Sequence, residues 1–270
     1  MSMIDEFDSE RSLHDFVGHV HVEKIQHFYN EFYRRAKDSK AHSELCRKVY
    51  GQDFCQHGML DMNQLDRLIE VSRLNKDTLV LELGSGTGLI TEYISDMTQC
   101  RITGIDISVE AIEHASARTK DKRNRVVFET RNMENLDYPD GAFDAVISID
   151  TLYFVKDLEN TVRQMVKILK PKGSMYMFYH VDPDLEDCPG ADPVRCSQLG
   201  AVLDRLSLSY RAIDFTAENN KHWELRKQVL SELKTQFEEE GNMYLYDSRM
   251  EECMSNMCDF YRFLYMVEQV

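Results

Sequence analysis

Apolar residues recur along this chain in two alternating patterns. Short apolar runs fall near 78–83, 101–106, 125–130, 143–149 and 174–181, and between them apolar side chains return every three or four residues over 88–97, 108–118 and 157–169. Near-continuous apolar runs mark strands buried on both faces, and the longer period marks amphipathic helices. Their alternation predicts a doubly wound, mostly parallel sheet covered by helices on both sides. Ser108 is the expected N-cap of the second crossover helix, with Glu110 in its first turn where the helix dipole favours an acid.

The flanks carry helical periods as well. Residues 20–38 and 61–73 repeat apolar and aromatic groups at helical spacing, and 49–58, rich in turn-forming and polar groups, reads as a loop. Beyond 181 the pattern predicts a proline-bearing loop from Asp182 to Pro193, a helix to about Ser207, a strand at 209–215 and a long polar helix from Ala217 to Glu240. A helix from about 247 and an apolar strand, Phe260 to Val267, close the chain. The expected organisation is a helical cap at 1–74, a Rossmann-like core at 75–182, and a C-terminal part at 183–270 that completes the sheet. Within that last part, 217–258 is an inserted helical lid over the carboxyl ends of the strands, where open α/β sheets bind ligands.

The first strand, Leu79 to Leu83, runs into Gly84-Ser85-Gly86-Thr87-Gly88, and the second ends at Asp106, 22 residues after Gly84. Alternate glycines let the backbone turn sharply and approach a ligand at a helix N-terminus, and an acid about 20 residues on meets a ribose diol. The loop has neither the Gly-Lys-Ser/Thr of a P-loop nor the glycine spacing of a dinucleotide site, and Glu82 beside it suits a cationic ligand better than a pyrophosphate.

The run Glu82-x-Gly84-x-Gly86-x-Gly88 with Asp106 resembles the signature of class I S-adenosylmethionine (SAM) dependent methyltransferases. The likeness extends to Arg131-Asn-Met-Glu-Asn-Leu136, placed like that family's adenine-contacting segment, to Ala142–Asp150, its fourth strand, and to Leu169–Met177, its Leu-x-Pro-Gly-Gly turn and fifth strand. The resemblance implies a seven-stranded Rossmann-like sheet whose last strand is antiparallel. It also implies SAM as cofactor, S-adenosylhomocysteine as product, and cofactor contacts from Glu82, Gly84, Ser85, Gly86, Gly88, Asp106, Ile107, Asn132, Met133, Glu134 and Asp150. Two departures stand out. Asn132 replaces a frequent Asp, which shifts the adenine contact to backbone or amide, and Lys172 replaces the first glycine of the turn, expected to be a harmless surface change.

Methyl transfer from a sulfonium needs chiefly alignment, which supplies roughly 7–11 kcal/mol of the barrier, so no catalytic triad is required, and none is visible. Tyr153 and His180, at the ends of the fourth and fifth strands, are the candidate catalytic groups, with helix packing and a satisfied core histidine as the alternatives. Asp150 either orients methionine or substrate groups or caps the next turn. Tyr29, Tyr33, His57, Tyr153 and Trp223 are the candidate substrate contacts. For the helical tyrosines the alternative is core packing, and for Trp223, the only tryptophan, it is anchoring of the lid helix.

Charge narrows the acceptor. With 32 Lys and Arg against 47 Asp and Glu, the net charge of −15 disfavours nucleic acid, and Lys120–Arg125 reads as a solvated helix end. No secretory signal or membrane-length apolar run is visible, and seven cysteines without a Cys-x-x-Cys fit reduced thiols. Cys253 and Cys258 have no nearby histidine, so no metal is expected. These observations point to a cytoplasmic enzyme, monomer or homodimer, without a nucleic-acid or membrane partner. Its small-molecule acceptor is expected to be an amine ahead of a hydroxyl. A protein or RNA methyltransferase and a non-catalytic SAM-binding regulatory module are the alternatives, and a nicotinamide oxidoreductase fits the loop spacing less well.

Overall fold

Leu79–Leu83 (β1) places Val80 on one face of the sheet and Leu81 and Leu83 on the other, all but Leu79 buried. Each fully buried branched side chain contributes roughly 1.5–3 kcal/mol, so β1 is committed to the centre. The computed structural model describes residues 22–181, 192–254 and 260–268. Around β1 lie Arg101–Asp106 (β2), Val126–Thr130 (β3), Phe143–Ile149 (β4), Leu169–Val181 (β5), Tyr210–Asp214 (β6) and Tyr261–Glu268 (β7), in the order β3-β2-β1-β4-β5-β7-β6. β1 to β5 pair in parallel, and β7 enters between β5 and β6 antiparallel to both. This is the mixed, mostly parallel sheet expected from the sequence. Strand order reverses between β1 and β4, and the crevice at their carboxyl ends is where such sheets bind ligands.

The helices of the described residues are Val22–Ala36 (α1), Lys40–Tyr50 (α2), Met62–Ser72 (α3), Leu89–Thr98 (α4), Val109–Arg118 (α5), Leu158–Ile168 (α6), Pro193–Cys196 (α7), Gln198–Arg205 (α8), Thr216–Glu239 (α9) and Met243–Met254 (α10). Ser108 caps α5 by accepting from the Ala111 amide, and Asp61 caps α3 through the Gln64 amide. α3, α4 and α5 contribute to the core on one face of the sheet and α6 and α8 to that on the other. α1, α2, α9 and α10 share a third apolar cluster that includes Phe32, Leu45, Trp223, Leu230 and Leu245, so the N-terminal helices pack with α9 and α10.

Four features depart from the sequence reading. α2 was not anticipated: Ser39 caps it and Gly51, at φ +86, ends it, so Val49 and Tyr50 are helical rather than loop. The helix expected up to Ser207 is broken at Ser197 into α7 and α8, and α10 begins at Met243 rather than near 247. β5 starts at Leu169, with a register shift where Phe143 and Ala145 of β4 face Leu169 and Ser174. Residues 1–21, the 182–191 part of the proline-bearing loop, and Cys258 lie outside the described residues.

Within that irregular stretch Lys172 adopts φ +69, the left-handed region. A side chain there costs roughly 1–2 kcal/mol, so the position is exposed but not neutral. Lys172→Gly is expected to relieve the strain, less the entropy glycine adds to the unfolded chain, for a net gain of about 0.5–1 kcal/mol. A thermal melt showing no rise, or a fall, would contradict this.

Two of the four basic residues in 120–125 are paired within the fold. Lys122 reaches Glu92 at 2.8 Å and pairs with Asp96, and Arg125 donates to the Ser95 carbonyl at 2.7 Å and to Asp96 at 2.9 Å, tying α4 to the start of β3. Among the described residues no helix is long and apolar enough to cross a membrane, and no cluster of three metal-ligating side chains occurs.

Candidate functional site

The glycine loop joins β1 to α4 at the switch point. The amides of Gly84 and Ser85 both donate to the Ile105 carbonyl, at 2.8 and 2.9 Å, so the loop folds back across β2. Gly86 sits at φ +52 and donates its amide to Asp106 Oδ2 at 2.8 Å, and Oδ1 accepts from the Ser108 amide at the same distance. Burial raises the Asp106 carboxyl above its ordinary value, and these backbone donors partly offset it. The bare backbone matters at Gly86: a Cβ there would stand 2.5 Å from the Tyr33 hydroxyl. At Gly84 a Cβ would meet the Thr151 methyl at 2.2 Å.

Polar atoms without partners surround this loop. Glu82, 2 % exposed, has an Oε2 with no hydrogen-bond partner, and the Ser85 hydroxyl is likewise buried and unpaired. Burial pushes the Glu82 carboxyl up to about 7. An acid, a hydroxyl and a glycine turn beside Asp106 fit a ligand bearing a cationic amino-acid end and a ribose.

One face of α1 closes over the loop, because positions 26, 30 and 33 follow the helical period. Gln26 donates to the Ile107 carbonyl at 2.8 Å, Asn30 Oδ1 accepts from the Ser108 hydroxyl at 2.7 Å, and the Tyr33 ring covers Gly86. Tyr29 stacks on Tyr33 at 5.9 Å and meets Phe154 edge-on at 5.8 Å. His57 is ringed by Phe28, Tyr29 and Phe32, with Nε2 2.9 Å from Glu252, and burial lowers its pKa despite that carboxylate. Of the sequence candidates, Tyr33 therefore lies against the loop, Tyr29 stacks behind it, and His57 packs beside Tyr29. Trp223 is 3 % exposed in the cap core, with the Arg226 guanidinium 4.8 Å over its ring.

Asn132, Met133 and Glu134 follow β3 in a turn that Asn132 makes with its own side chain, accepting from the Glu134 amide at 2.9 Å. Gln164 of α6 donates to the Glu134 carbonyl, and the Glu134 carboxylate accepts from the Lys156 amide at 2.6 Å, so this wall of the crevice is tied to α6 and its preceding loop.

Asp150 ends β4 at φ +56, in the left-handed region, and is buried. Arg262 donates to Oδ1 at 2.5 Å and to Oδ2 at 2.9 Å, the Met59 amide to Oδ2 at 3.0 Å and the Tyr153 hydroxyl to Oδ1 at 2.9 Å. Burial opposes this charge, but the Arg262 guanidinium, helped by the Met59 amide, outweighs it and holds the carboxyl at about 2. His180 lies 3.3 Å from the Tyr153 hydroxyl and 3.1 Å from Asn219 Oδ1. Tyr153, His180 and Asp150 thus form one network, a structural role that leaves Asp150 no unpaired oxygen.

The residues that sequence reasoning missed are those that close this network: Arg262, Asn219 and Gln64. One signal was available, since Arg262 is the lone charge in the apolar run Phe260–Val267. A second buried set was also missed. Arg249 donates to the carbonyls of His57 and Gln56 at 2.7 and 3.2 Å, and with Arg226 it shares Glu252. It clamps the 56–59 segment from the side of α10, while Met59 reaches Asp150 on the other.

Residues 81–177 match the family model described as Methyltransferase domain. The chain is 28 % identical over 151 residues to 27-O-demethylrifamycin SV methyltransferase of Amycolatopsis mediterranei, an alignment covering 52 % of this chain and 55 % of that protein. It spans about half or less of the length of the curated relatives it matches. By structure it is similar to the [4+2]-cyclase SpnF, with TM-score 0.69 at 16 % identity over 94 % of this chain and 98 % of that one. It is also similar to phosphoethanolamine N-methyltransferase 2 of Haemonchus contortus in complex with phosphomonomethylethanolamine and S-adenosylhomocysteine, with TM-score 0.61 at 16 % identity over 90 % of this chain and 60 % of that one.

Proposed function

We propose that this chain, which carries a methyltransferase domain over residues 81–177, moves the methyl group of SAM to a nitrogen or oxygen of a small-molecule acceptor and leaves S-adenosylhomocysteine. The observation that carries the reading is the cradle itself: Gly86 held open beneath Tyr33, Asp106 beside it, and the buried Glu82 carboxyl with one oxygen lacking a partner. Asp106 would hold the ribose, Glu82 and Ser85 the cationic amino-acid end, and Asn132, Met133 and Glu134 the base. Bound there, the cofactor supplies an electrophilic methyl on a sulfonium.

The protein's share is to align and to exclude water. Tyr29, Tyr33 and Phe154 present aromatic faces and edges to the crevice, which suits a positively charged centre. Tyr153 and His180 offer neutral polar atoms to the acceptor. The helices α1, α2, α9 and α10 pack together and α1 lays Tyr33 over Gly86, which favours a small acceptor over a polymer, and the net charge of −15 disfavours nucleic acid.

Transfer of labelled methyl from SAM into a cell extract split into small-molecule, protein and RNA fractions tests this. Label among small molecules is expected. Label confined to a polymer fraction would overturn the acceptor class, and SAM binding without label in any fraction would favour a non-catalytic module.

Glu82 supplies a pH prediction. Its folded value of about 7 lies above the ordinary 4.5, so folding binds a proton more tightly than the unfolded chain does. Below about pH 4.5 both states hold the proton and burial costs nothing; stability is lost as pH rises through 4.5 to 7, by up to about 3 kcal/mol. Glu82→Gln is expected to stabilise the ligand-free protein at pH 8 by about 1–3 kcal/mol, with the gain vanishing near pH 4.5, while weakening SAM binding. Denaturant unfolding at the two pH values, with calorimetry for binding, checks both halves; a gain that does not shrink at low pH would place the effect elsewhere.

A further inference from the structure

β7 pairs with β5 so that Arg262 lies directly across from His180, with both side chains on one face of the sheet. Arg262 is fully buried, and its Nε donates to Gln64 Oε1 at 2.7 Å while its two terminal nitrogens grip Asp150. Asn219 donates its amide nitrogen to the Phe260 carbonyl at 3.4 Å, which turns its oxygen toward His180 Nε2 at 3.1 Å. The hydrogen of a neutral imidazole therefore sits on Nε2, and Nδ1 is bare toward the Tyr153 hydroxyl. His180 Nδ1 is also 3.6 Å from Asp150 Oδ1, a separation at which a free carboxylate would draw a proton onto the ring. Instead, Arg262 Nη1 stands 3.3 Å from Nδ1 and 3.1 Å from Nε2.

We propose that Arg262 is a positioning residue: by occupying both oxygens of Asp150 it keeps His180 uncharged and fixes the Tyr153 hydroxyl as a donor into the network. The lone pairs of that hydroxyl are then left for the acceptor's own hydrogen. The groups facing His180 are Asp150 from β4, Tyr153 from the following turn, Arg262 from β7 and Asn219 from α9; Asp61, 2.9 Å from His222, is the next carboxylate toward Arg262. Burial and then the guanidinium hold the imidazole down to about 4. Burial and then Asp150 push the Tyr153 hydroxyl well above its ordinary value. For the acceptor, and there resting on the methyl-transfer reading, the consequence is an uncharged nucleophile rather than an ammonium ion, because no unpaired carboxylate is offered by Asp150.

The test uses the full chain labelled with 15N-histidine and follows the His180 ring by NMR from about pH 5 to about pH 8, with melts confirming the fold. In the wild type, His180 is expected to remain the neutral Nε2–H form throughout. In Arg262→Gln the bared carboxylate is expected to raise its midpoint by at least about one unit, and Arg262→Lys, which keeps the charge, is expected to restore the low value. A wild-type midpoint between 6 and 7, or an unchanged midpoint in a folded Arg262→Gln protein, overturns the proposal. Should that variant not fold, Asp150→Asn serves: with Arg262 intact His180 is expected to stay neutral, and a raised midpoint refutes the assignment. None of these readouts needs cofactor or acceptor, so their failure is distinct from failure of the labelled-methyl assay.

Discussion

Valine at position 86 is expected to weaken SAM binding at least about a hundredfold while the chain stays folded. Two effects act, one on stability and one on binding. Gly86 sits at φ +52, a left-handed conformation that strains a β-branched side chain by roughly 1–3 kcal/mol. The new side chain would also fill the space between the loop backbone and the Tyr33 hydroxyl, where the Cβ alone comes within 2.5 Å. Tyr33 must then shift as a whole ring, since its hydroxyl lies on the ring axis, and a ligand that must lie against bare main chain loses its approach. A hundredfold loss is about 2.7 kcal/mol, and the lost approach supplies it, because the backbone strain is present with and without the ligand and lowers stability instead. Calorimetric titration with SAM decides the matter; near wild-type affinity in the folded variant would move the cofactor site away from this loop.

The second large effect concerns stability. Arg262→Met leaves Asp150 buried with no cation, and breaking a buried pair from one side typically costs about 3–5 kcal/mol. For a chain of 270 residues that corresponds to a melting temperature lower by about 10 °C. Adding Asp150→Asn should recover much of the loss, since asparagine tolerates the left-handed backbone found there, at φ +56; its one carbonyl oxygen can still accept from the Met59 amide, and its NH2 can donate to the Tyr153 hydroxyl turned round as acceptor. A double-mutant cycle by denaturant unfolding is expected to give a coupling of at least about 2 kcal/mol. Simple additivity would mean that the two charges are solvated rather than sealed off.

Much of this architecture was legible in the chain itself. The apolar runs of β1, β2 and β4 and the intervening helical periods determine which face each side chain takes, and that pattern suffices for a doubly wound sheet. The Ser108 cap was readable because capping depends on residues two and three positions away. α2 was missed because the apolar period of residues 20–38 was followed straight into a loop, and the restart at Ser39 depends on a single side chain accepting from the His42 amide. The strain at Lys172 was missed because substitution at an exposed turn looks harmless until the backbone conformation is known.

The sequence by itself determined the glycine turn: Gly84 to Gly88 and Asp106 take their geometry from glycine's access to positive φ and from strand and helix periods, which are short-range properties of the chain. Only the tertiary structure decided what faces that turn. Tyr33 reaches Gly86, Met59 reaches Asp150 from 91 residues away, and Arg262 reaches it from 112. A lone arginine in an apolar strand has no meaning until β7 inserts between β5 and β6 and sets it across from His180. The reason is physical: the worth of a buried charge lies in its partner, and in a low-dielectric interior that partner is chosen by proximity in space rather than along the chain.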